Sequence, residues 1–584
     1  MGNTRRANPI GPNQTPRSGP GNEGMPQPKS PGAKPISRPT DQTSPLPSES
    51  PPAPGAAPSC PVLNWAASGG MALTGHRDGE PVLSPAPAYH LLGAVVQALS
   101  RITGQVGNPV VIDPATTLFG RAAYSGRGRD GHRSVSGATR LLRTADGWCA
   151  LTLSRPDDIE AVPAILGTAL TTDAWTALET AARHWPANYL VDRAQLLGVP
   201  AAVVPPAPPT ALIGDAESTV GMRSQSAERV GTYSPENMHI WSVENMPSQP
   251  PDNVHTLPAE SMSTRSAQST PARSAGSMPA RSTGNTPTRS TGSARTPSTE
   301  RTHTELTSSS GDAFWSDPRG DLPFGPGSEL PWRTSRIAAA VPGKSLRGCL
   351  VVDLSALWAG PLCARLLGLA GARVVKVESV QRPDAGRGWS PELFRWLHEG
   401  HEFRVVDFRS DSGRMELAEL IAAADVVIEA SRPRALGQLG LGPEQVAHRP
   451  GRVWLSLTGY GRAEPMRVAF GDDAAVAGGL VGWCGAEPVF CGDAIADPLA
   501  GICAALAVAT AVRAGGGVLL DLSMRATAAA FAAAPGVGHG PHRVLGHGDG
   551  WVVECDHYRL AQRVLPPPVP EWAREQLAPS GFRC

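Results

Sequence analysis

Apolar runs alternate with amphipathic segments between residues 345 and 460. The runs predict five β-strands, at 349–354, 373–378, 403–408, 425–429 and 452–457. Helical patterns lie between them, at 361–369, which begins with Pro361, and at 413–424. Strands and helices at this spacing predict an α/β fold with a doubly wound open parallel sheet. The first turn, Ala359-Gly360-Pro361, lacks the G-x-G-x-x-G fingerprint of dinucleotide-binding folds, so we do not expect an NAD enzyme.

Composition divides the rest of the chain into globular and low-complexity segments. The predicted order is a disordered tail at 1–58, a globular region at 60–204, a disordered linker at 205–343, the α/β domain at 345–535 and a C-terminal extension at 536–584. The linker contains an eight-residue repeat that places Arg265, Arg273, Arg281 and Arg289 in register. This repeat has no apolar face to stack, so we interpret it as a flexible basic spacer. A phosphorylated segment or one that contacts nucleic acid is the alternative.

Charge and cysteine usage narrow the class of protein. The chain has 52 basic and 52 acidic residues, which gives no bulk attraction to nucleic acid or to an anionic membrane surface. Its nine cysteines form no CxxC pair, which favours reduced thiols and predicts no metal site. The N-terminus has no apolar signal segment, and the longest apolar stretch, 498–512, is too short to span a bilayer. We therefore expect a cytoplasmic protein without a membrane or nucleic-acid partner.

Asp497 is the residue that points most directly to chemistry. It precedes Pro498 and a small-residue helix predicted at 502–512. Taken alone, this pattern predicts a helix N-cap with proline in the first turn. The sheet predicted upstream supports a second interpretation, because a carboxylate at a helix mouth beside such a sheet is where an acyl-transfer nucleophile would lie. We expect the helix N-terminus to hold this carboxylate ionised, with backbone N–H groups available for an oxyanion.

Two parts of the chain also suggest an internal duplication. The paired segments are 67–82 with 477–489, the helices 93–101 with 501–513, and the short strands 110–113 with 518–521. Counting back four residues from the helix glycine gives Asp497 in the second copy but Tyr89 in the first. Two degenerate tandem copies therefore stay an alternative to a single fold completed by both regions.

Several segments resemble the class III CoA-transferase family, the CaiB/BaiF-like group that contains formyl-CoA transferase, carnitine CoA-transferase and α-methylacyl-CoA racemase. The segments that carry the resemblance are Val352-Asp-Leu-Ser-Ala-Leu-Trp-Ala-Gly-Pro361, Gly371-Ala-Arg-Val-Val-Lys-Val-Glu378, Val426-Val-Ile-Glu-Ala-Ser-Arg-Pro-Arg-Ala-Leu436, Trp454-Leu-Ser-Leu-Thr-Gly-Tyr-Gly461 and Val518-Leu-Leu-Asp-Leu-Ser-Met524. In the N-terminal part, 143–153 and 196–204 are similar to strands of the family's later half. The family's order is therefore permuted in this chain. The resemblance implies that 60–204 supplies a smaller α+β domain to the nucleotide-fold sheet of 345–530 and so completes one fold.

The resemblance implies an enzyme that moves CoA between an acyl-CoA and a small carboxylic acid. CoA and acyl-CoA would be substrates, no cofactor would be bound permanently, and two chains would form an obligate homodimer. Asp497 would be the nucleophile, passing through a mixed anhydride and an enzyme–CoA thioester. Arg432 would contact the nucleotide of CoA, and Trp358 and Ala359 would flank its pantetheine arm.

Three departures from the family's pattern keep other functions open. The family's basic stretch has His401 and Glu402 in place of two cations, and its Gly-rich loop is thin at 131–138. The racemase histidine is replaced in Gly471-Asp472-Asp473, and we expect both aspartates to be polar loop residues. The alternatives are a degenerate, non-catalytic protein that binds acyl-CoA, an acyl-CoA racemase, and an interaction protein that depends on the arginine repeats.

Overall fold

The computed structural model describes residues 60–207, 322–324, 329–536, 538, 540–548 and 550–574. All of them belong to one compact unit, Ser59–Cys584. The predicted tail at 1–58 and the arginine repeats lie outside the described residues, so their disorder stays a prediction. The predicted linker extends too far, because Trp332–Arg336 forms a strand at the edge of the main sheet.

The described residues form fifteen strands and fifteen α-helices. The strands are β1 Thr139–Arg143, β2 Trp148–Thr152, β3 Ala201–Val203, β4 Trp332–Arg336, β5 Leu350–Asp353, β6 Arg373–Ser379, β7 Glu402–Val406, β8 Val426–Glu429, β9 Val453–Thr458, β10 Gly482–Cys484, β11 Glu487–Val489, β12 Val518–Ser523, β13 His542–His547, β14 Gly550–Cys555 and β15 Leu560–Arg563. The helices are α1 Pro61–Ala67, α2 Ala86–Val106, α3 Pro114–Ser125, α4 Pro156–Glu160, α5 Val162–Leu166, α6 Ala174–Ala182, α7 Ala187–Leu196, α8 Ala359–Leu369, α9 Gly386–Trp389, α10 Pro391–Leu397, α11 Asp411–Ala423, α12 Arg434–Gln438, α13 Gly471–Ala477, α14 Ala496–Arg513 and α15 Met524–Ala532.

The main sheet has seven strands in the order β4-β12-β9-β8-β5-β6-β7. All neighbours pair in parallel except β4, which runs antiparallel to β12. Strands β6 and β7 are added in chain order on one side of β5, and strands β8, β9 and β12 are added in chain order on its other side. The α/β prediction with a doubly wound parallel sheet is therefore confirmed. Its topological switch point lies between β5 and β8, where such sheets open a crevice for ligands.

Alternate residues of the strands pack on opposite faces of the sheet. In β9, Val453 and Leu455 belong to the core that contains α8 and α14, whereas Trp454 lies in the core on the other face, beside α11. Helix α14 is apolar on every side, and nearly all of its residues are buried. It is long and apolar enough to cross a membrane by length and composition, but its burial is that of a central core helix.

The N-terminal part of the chain packs against this sheet domain. Helix α2 lies against α14 in the same hydrophobic core, and α3 follows it with Asp113 as N-cap, whose carboxylate accepts from the backbone of Thr116 at 2.9 Å. Strands β1, β2 and β3 form a separate antiparallel sheet covered by α6 and α7. The C-terminal strands β13, β14 and β15 form a third sheet, which contacts α1.

The predicted duplication is only partly supported by the elements. Helices α2 and α14 occupy the two predicted helical positions, and β12 begins at Val518 as predicted. The short strand predicted at 110–113 is wrong, because its last residue, Asp113, caps α3 instead. Tyr89 lies within α2 and packs between Trp65 and Phe119. The two parts of the chain therefore differ in structure beyond the loss of one carboxylate.

Candidate active site

A cleft of about 550 Å³ opens beside the N-terminus of α14. It is lined by both parts of the chain: α3 and the loop before β1 contribute from one, and the loop before α8 and the first turns of α13 and α14 contribute from the other. Asp497, Trp358 and Asp472 all line it. The site therefore depends on residues far apart in sequence.

Asp497 is the second residue of α14 and is partly buried. The N-cap of α14 is Ile495, and Asp497 lies inside the first turn, so the N-cap interpretation of the Asp497–Pro498 pattern is wrong. The backbone N–H of Gly471 is near enough to its carboxylate to act to lower its pKa. A Cβ atom on residue 471 would lie 2.6 Å from Asp497 Oδ2, so only glycine at this position gives the carboxylate enough room.

The protonation of Asp497 is set by burial more than by the helix. Its pKa is raised to about 7, chiefly by burial and also by the carboxylates of Asp472 and Asp493, although the Arg121 guanidinium acts to lower it. The expectation that the helix N-terminus holds this group firmly ionised is therefore wrong: desolvation and two like charges outweigh the helix dipole. A carboxylate with a pKa near neutrality is a usual feature of a catalytic group.

Asp472 and Asp473 were expected in a loop, and that expectation is wrong. Both lie in the first turn of α13, with 6% and 0% of their surface exposed. Asp472 accepts hydrogen bonds from the Thr139 hydroxyl at 3.2 Å and from the backbone of Ala494 at 2.9 Å. Asp473 accepts from Thr152 at 3.0 Å, and burial raises its pKa to about 8. Asp472 thus positions the backbone just before α14, and both anchor α13 to the sheet of β1–β3.

Trp358 is the N-cap residue of α8 and is 4% exposed. The Arg121 guanidinium stacks over its ring, 4.8 Å from the centroid. Ala359 begins α8 and is buried, but it does not line the cleft. Leu357, just before Trp358, has a φ of 73°, and its backbone N–H donates to Asp384 at 3.1 Å.

A second strained residue lines the same cleft. Ala494 has a φ of 45°, and it also lines the cleft. Backbone held in the left-handed region without glycine costs free energy and tends to concentrate at functional sites. In both cases a carboxylate accepts from the strained N–H, Asp384 for Leu357 and Asp472 for Ala494.

Arg432 lies three residues after β8, at the carboxyl end of a strand that forms the switch point. Trp358 follows β5, the other strand of that pair, so the topology brings the two predicted CoA contacts to one crevice. Arg155, Arg382 and Arg434 are close enough to lower the pKa of Arg432, together with its burial. Within the described residues Arg432, Arg382 and Arg434 have no carboxylate partner within 4.0 Å. Uncompensated guanidinium groups in a cluster are suited to phosphate.

The cluster adjoins the cleft through Arg155. The Arg155 guanidinium lies 5.6 Å from the ring centroid of Phe470, and that ring lines the cleft. The His401–Glu402 departure lies away from the cleft lining. His401 is partly buried with its pKa lowered to about 4 by desolvation, and Glu402 is exposed beside Arg373 at 3.6 Å.

Sequence reasoning missed the residues that support the site. Arg121 donates to Asp493 from Nε at 2.8 Å, and its second nitrogen completes a bidentate pair. Lys376 is fully buried, with Nζ 3.3 Å from Asp384 and 3.7 Å from Asp353. A lysine inside the apolar strand 373–378 was a visible signal for a buried ion pair, whereas nothing in the sequence pairs Arg121 with Asp493.

Comparison with known proteins finds one family to which the second part of the chain is similar. Residues 346–562 match CoA-transferase family III. The chain is 31% identical over 200 residues to the succinyl-CoA–D-citramalate CoA-transferase of Chloroflexus aurantiacus, covering 31% of this chain and 50% of that protein. It is also 31% identical over 198 residues to the succinyl-CoA:glutarate CoA-transferase of Mus musculus, covering 31% and 45%. The chain thus spans about half the length of the curated relatives it matches.

A solved structure of a CAIB/BAIF family protein from Brucella suis is 27% identical, with a TM-score of 0.33, and the match covers 36% of this chain and 66% of that one.

Proposed function

We propose that the chain is a CoA-transferase with Asp497 as its nucleophile, starting from the match of residues 346–562 to CoA-transferase family III. The substrates would be an acyl-CoA and a small carboxylic acid, and CoA would not be retained as a cofactor. The observation that carries the proposal is the Asp497 carboxylate: it lies in a cleft at the mouth of α14, is not used as a cap, and has a pKa of about 7.

The proposed reaction uses the carboxylate twice. An ionised Asp497 oxygen attacks the thioester carbonyl of the donor, and CoA leaves as a thiolate with a mixed anhydride in its place. The thiolate then attacks the Asp497 carbonyl carbon, which releases the donor acid as a carboxylate and leaves an Asp497–CoA thioester. An acceptor carboxylate reverses the two steps and leaves with CoA. No net proton is gained or lost in the cycle.

The surrounding residues support each stage of that reaction. The Gly471 N–H contacts the carboxylate and is available to an oxyanion that develops on it. The Trp358 ring and the Arg121 guanidinium form one wall of the cleft, where the thioester arm would lie. The Arg432 cluster beside the switch point would bind the CoA phosphates.

The cleft favours transfer over racemisation. Racemisation at the carbon next to a thioester needs a base and an acid on its two faces. Among the described residues that line the cleft there is no histidine, and the two available carboxylates of α13 are already bonded to Thr139, Thr152 and the backbone. A degenerate, non-catalytic protein is the alternative that activity measurements must exclude.

Relatives with succinyl-CoA in their names indicate which substrates to try first. The named acceptors of those proteins are D-citramalate, glutarate and L-malate, which are all dicarboxylates. We propose a small carboxylate acceptor of this kind for the present chain. We also propose that it acts as a cytoplasmic homodimer.

The test is direct detection of the covalent intermediate. The full chain is incubated with succinyl-CoA, quenched and digested, and the peptide containing Asp497 is examined by mass spectrometry for attached CoA. Hydroxylamine added before the quench should convert Asp497 to a hydroxamate. An adduct at another residue, or CoA that binds by calorimetry without any adduct, would remove Asp497 from the mechanism.

A further inference from the structure

Two thiols and an imidazole meet at a point formed by none of the residues that line the cleft. Cys60, His542 and Cys555 each offer one ligand atom, and the three atoms lie within 4.8 Å of one another. Cys60 Sγ is 3.1 Å from His542 Nε2, and the Cys60 thiol also contacts the Cys555 thiol. Both cysteines are almost fully buried, at 2% and 1% exposed.

The three side chains come from the N-terminal and the C-terminal elements of the compact unit, and the backbone fixes their positions. Cys60 is the residue before α1, so its position is fixed by the start of that helix. His542 and Cys555 are directly paired across β13 and β14, which places their side chains next to each other. The backbone N–H of Leu565 donates to the carbonyl of Ala66 at 2.9 Å, and so joins α1 to the end of the same sheet.

We propose that Cys60, His542 and Cys555 bind one Zn²⁺ ion that ties α1 to the C-terminal sheet. Thiolates and imidazole are the ligands zinc prefers, and three protein ligands leave one tetrahedral position for water. Two thiols lose their protons when the ion binds, so the ion and the two thiolates together carry no net charge. A neutral site is suited to a buried position, where an uncompensated charge would be costly.

The proposal does not depend on CoA transfer. The site shares no residue with the cleft lining, and the ion would join parts of the chain that are 482 positions apart in sequence. That separation also explains why cysteine spacing alone predicted no metal: each ligand is isolated in sequence, and only the fold brings them together.

A second group of possible metal ligands serves as an internal comparison. His76, His132 and Glu487 also converge, with Glu487 Oε2 3.7 Å from His76 and 3.9 Å from His132. Glu487 is exposed, and this group contains no thiol. An ion held there would differ from the proposed zinc in its ligand spectrum and in the variants that release it.

The experiment measures metal in the full chain, purified without metal-affinity resin and without added metal. Elemental analysis by plasma mass spectrometry should find about one Zn²⁺ per chain, and chelation should expose two further thiols to a thiol reagent. Cobalt substituted for zinc should show thiolate-to-metal charge-transfer absorption. The melting temperature should fall by several degrees when the metal is removed.

Variants locate the ion. Cys60→Ser and Cys555→Ser should each lower the zinc content at least about fivefold, since losing a ligand of a structural site sharply weakens binding. Cys349→Ser, which replaces a buried thiol that contacts the Ser345 carbonyl, should leave the zinc content unchanged. A wild-type chain without metal, a Cys60–Cys555 disulfide in unreduced peptide maps, or zinc that is lost in His132→Ala but kept in Cys555→Ser would each overturn the proposal.

Discussion

Arg121 donates to both carboxylate oxygens of Asp493, although the two residues are 372 positions apart in the sequence. Arg121 belongs to α3 in the N-terminal part, and Asp493 lies in the loop just before α14. The pair therefore fixes the loop that leads to Asp497 from the other part of the chain. The same guanidinium charge acts to lower the pKa of Asp497, so the ionisation of Asp497 depends on the contact between Arg121 and Asp493.

Asp497→Asn should abolish CoA transfer without unfolding the protein. The amide keeps the shape but removes the anionic oxygen that would attack the thioester. In the wild type, the raised pKa of Asp497 means that between about pH 4 and pH 7 the folded protein still holds a proton that the unfolded chain has lost. The free energy of unfolding therefore falls as the pH rises through this range, and the variant does not have this loss. The free energy of unfolding at pH 8 should therefore change by less than about 1 kcal/mol, or increase.

Asp173→Asn is the matched control for that variant. Asp173 is the true N-cap of α6, and its carboxylate accepts from the backbone of Trp175 and Thr176, both at 3.1 Å. This change should leave the turnover intact and should alter stability little, because asparagine is also a good cap. Normal turnover in Asp497→Asn would show that the carboxylate is not the nucleophile.

The rate of enzyme acylation should rise with pH through about 7 and then level off. Only the ionised form of Asp497 is nucleophilic, and its pKa of about 7 places the half-rise there. Arg121→Gln removes the cation that lowers this pKa, so the half-rise should move to higher pH. Asp493→Asn removes a like charge and should move it to lower pH. Single-turnover rates across the pH range would measure both, and shifts in the same direction would contradict the assignment.

The strands and the candidate nucleophile could be predicted from sequence, whereas the environment of the nucleophile could not. Strands such as β6 and β9 follow directly from their apolar runs, and Asp497 stands out beside Pro498. The pKa of Asp497 depends on Asp472, Asp493 and Arg121, which reach it only through the fold. The edge strand β4 was missed because Trp332–Arg336 is largely exposed and has no apolar alternation.

Gly471→Ala should impair transfer by displacing the carboxylate. The new Cβ would lie 2.6 Å from Asp497 Oδ2 and 2.4 Å from the backbone oxygen of Ala494, which is closer than real contacts allow. The expected result is a fall of at least about tenfold in kcat, as small misplacements at a reacting group are costly. Gly147→Ala is the control, because its Cβ would meet no atom within 4 Å. Equal activity of the two variants would show that the Gly471 contact is not needed.

Sedimentation should show a homodimer at micromolar concentration. The class III resemblance implies two interlocked chains, and the expectation applies to the full chain. The control is the same measurement at several protein concentrations, because an interlocked dimer should not dissociate on dilution. A single monomeric species across the range would contradict the prediction.

Arg432→Gln should weaken the binding of CoA and leave the chemical step nearly unchanged. Arg432 lies at the switch point with Arg382 and Arg434, and none of the three has a carboxylate partner within the described residues. Losing one charge-assisted contact to a phosphate costs about 1.5–3 kcal/mol, so KM for acyl-CoA should rise roughly 10- to 100-fold at similar kcat. Arg414→Gln is the control, because Arg414 pairs with Asp411 on the exposed surface of α11. Raising the salt concentration should weaken CoA binding in the wild type more than in Arg432→Gln. An unchanged KM in Arg432→Gln, with kcat lowered instead, would place this residue outside the CoA-binding site.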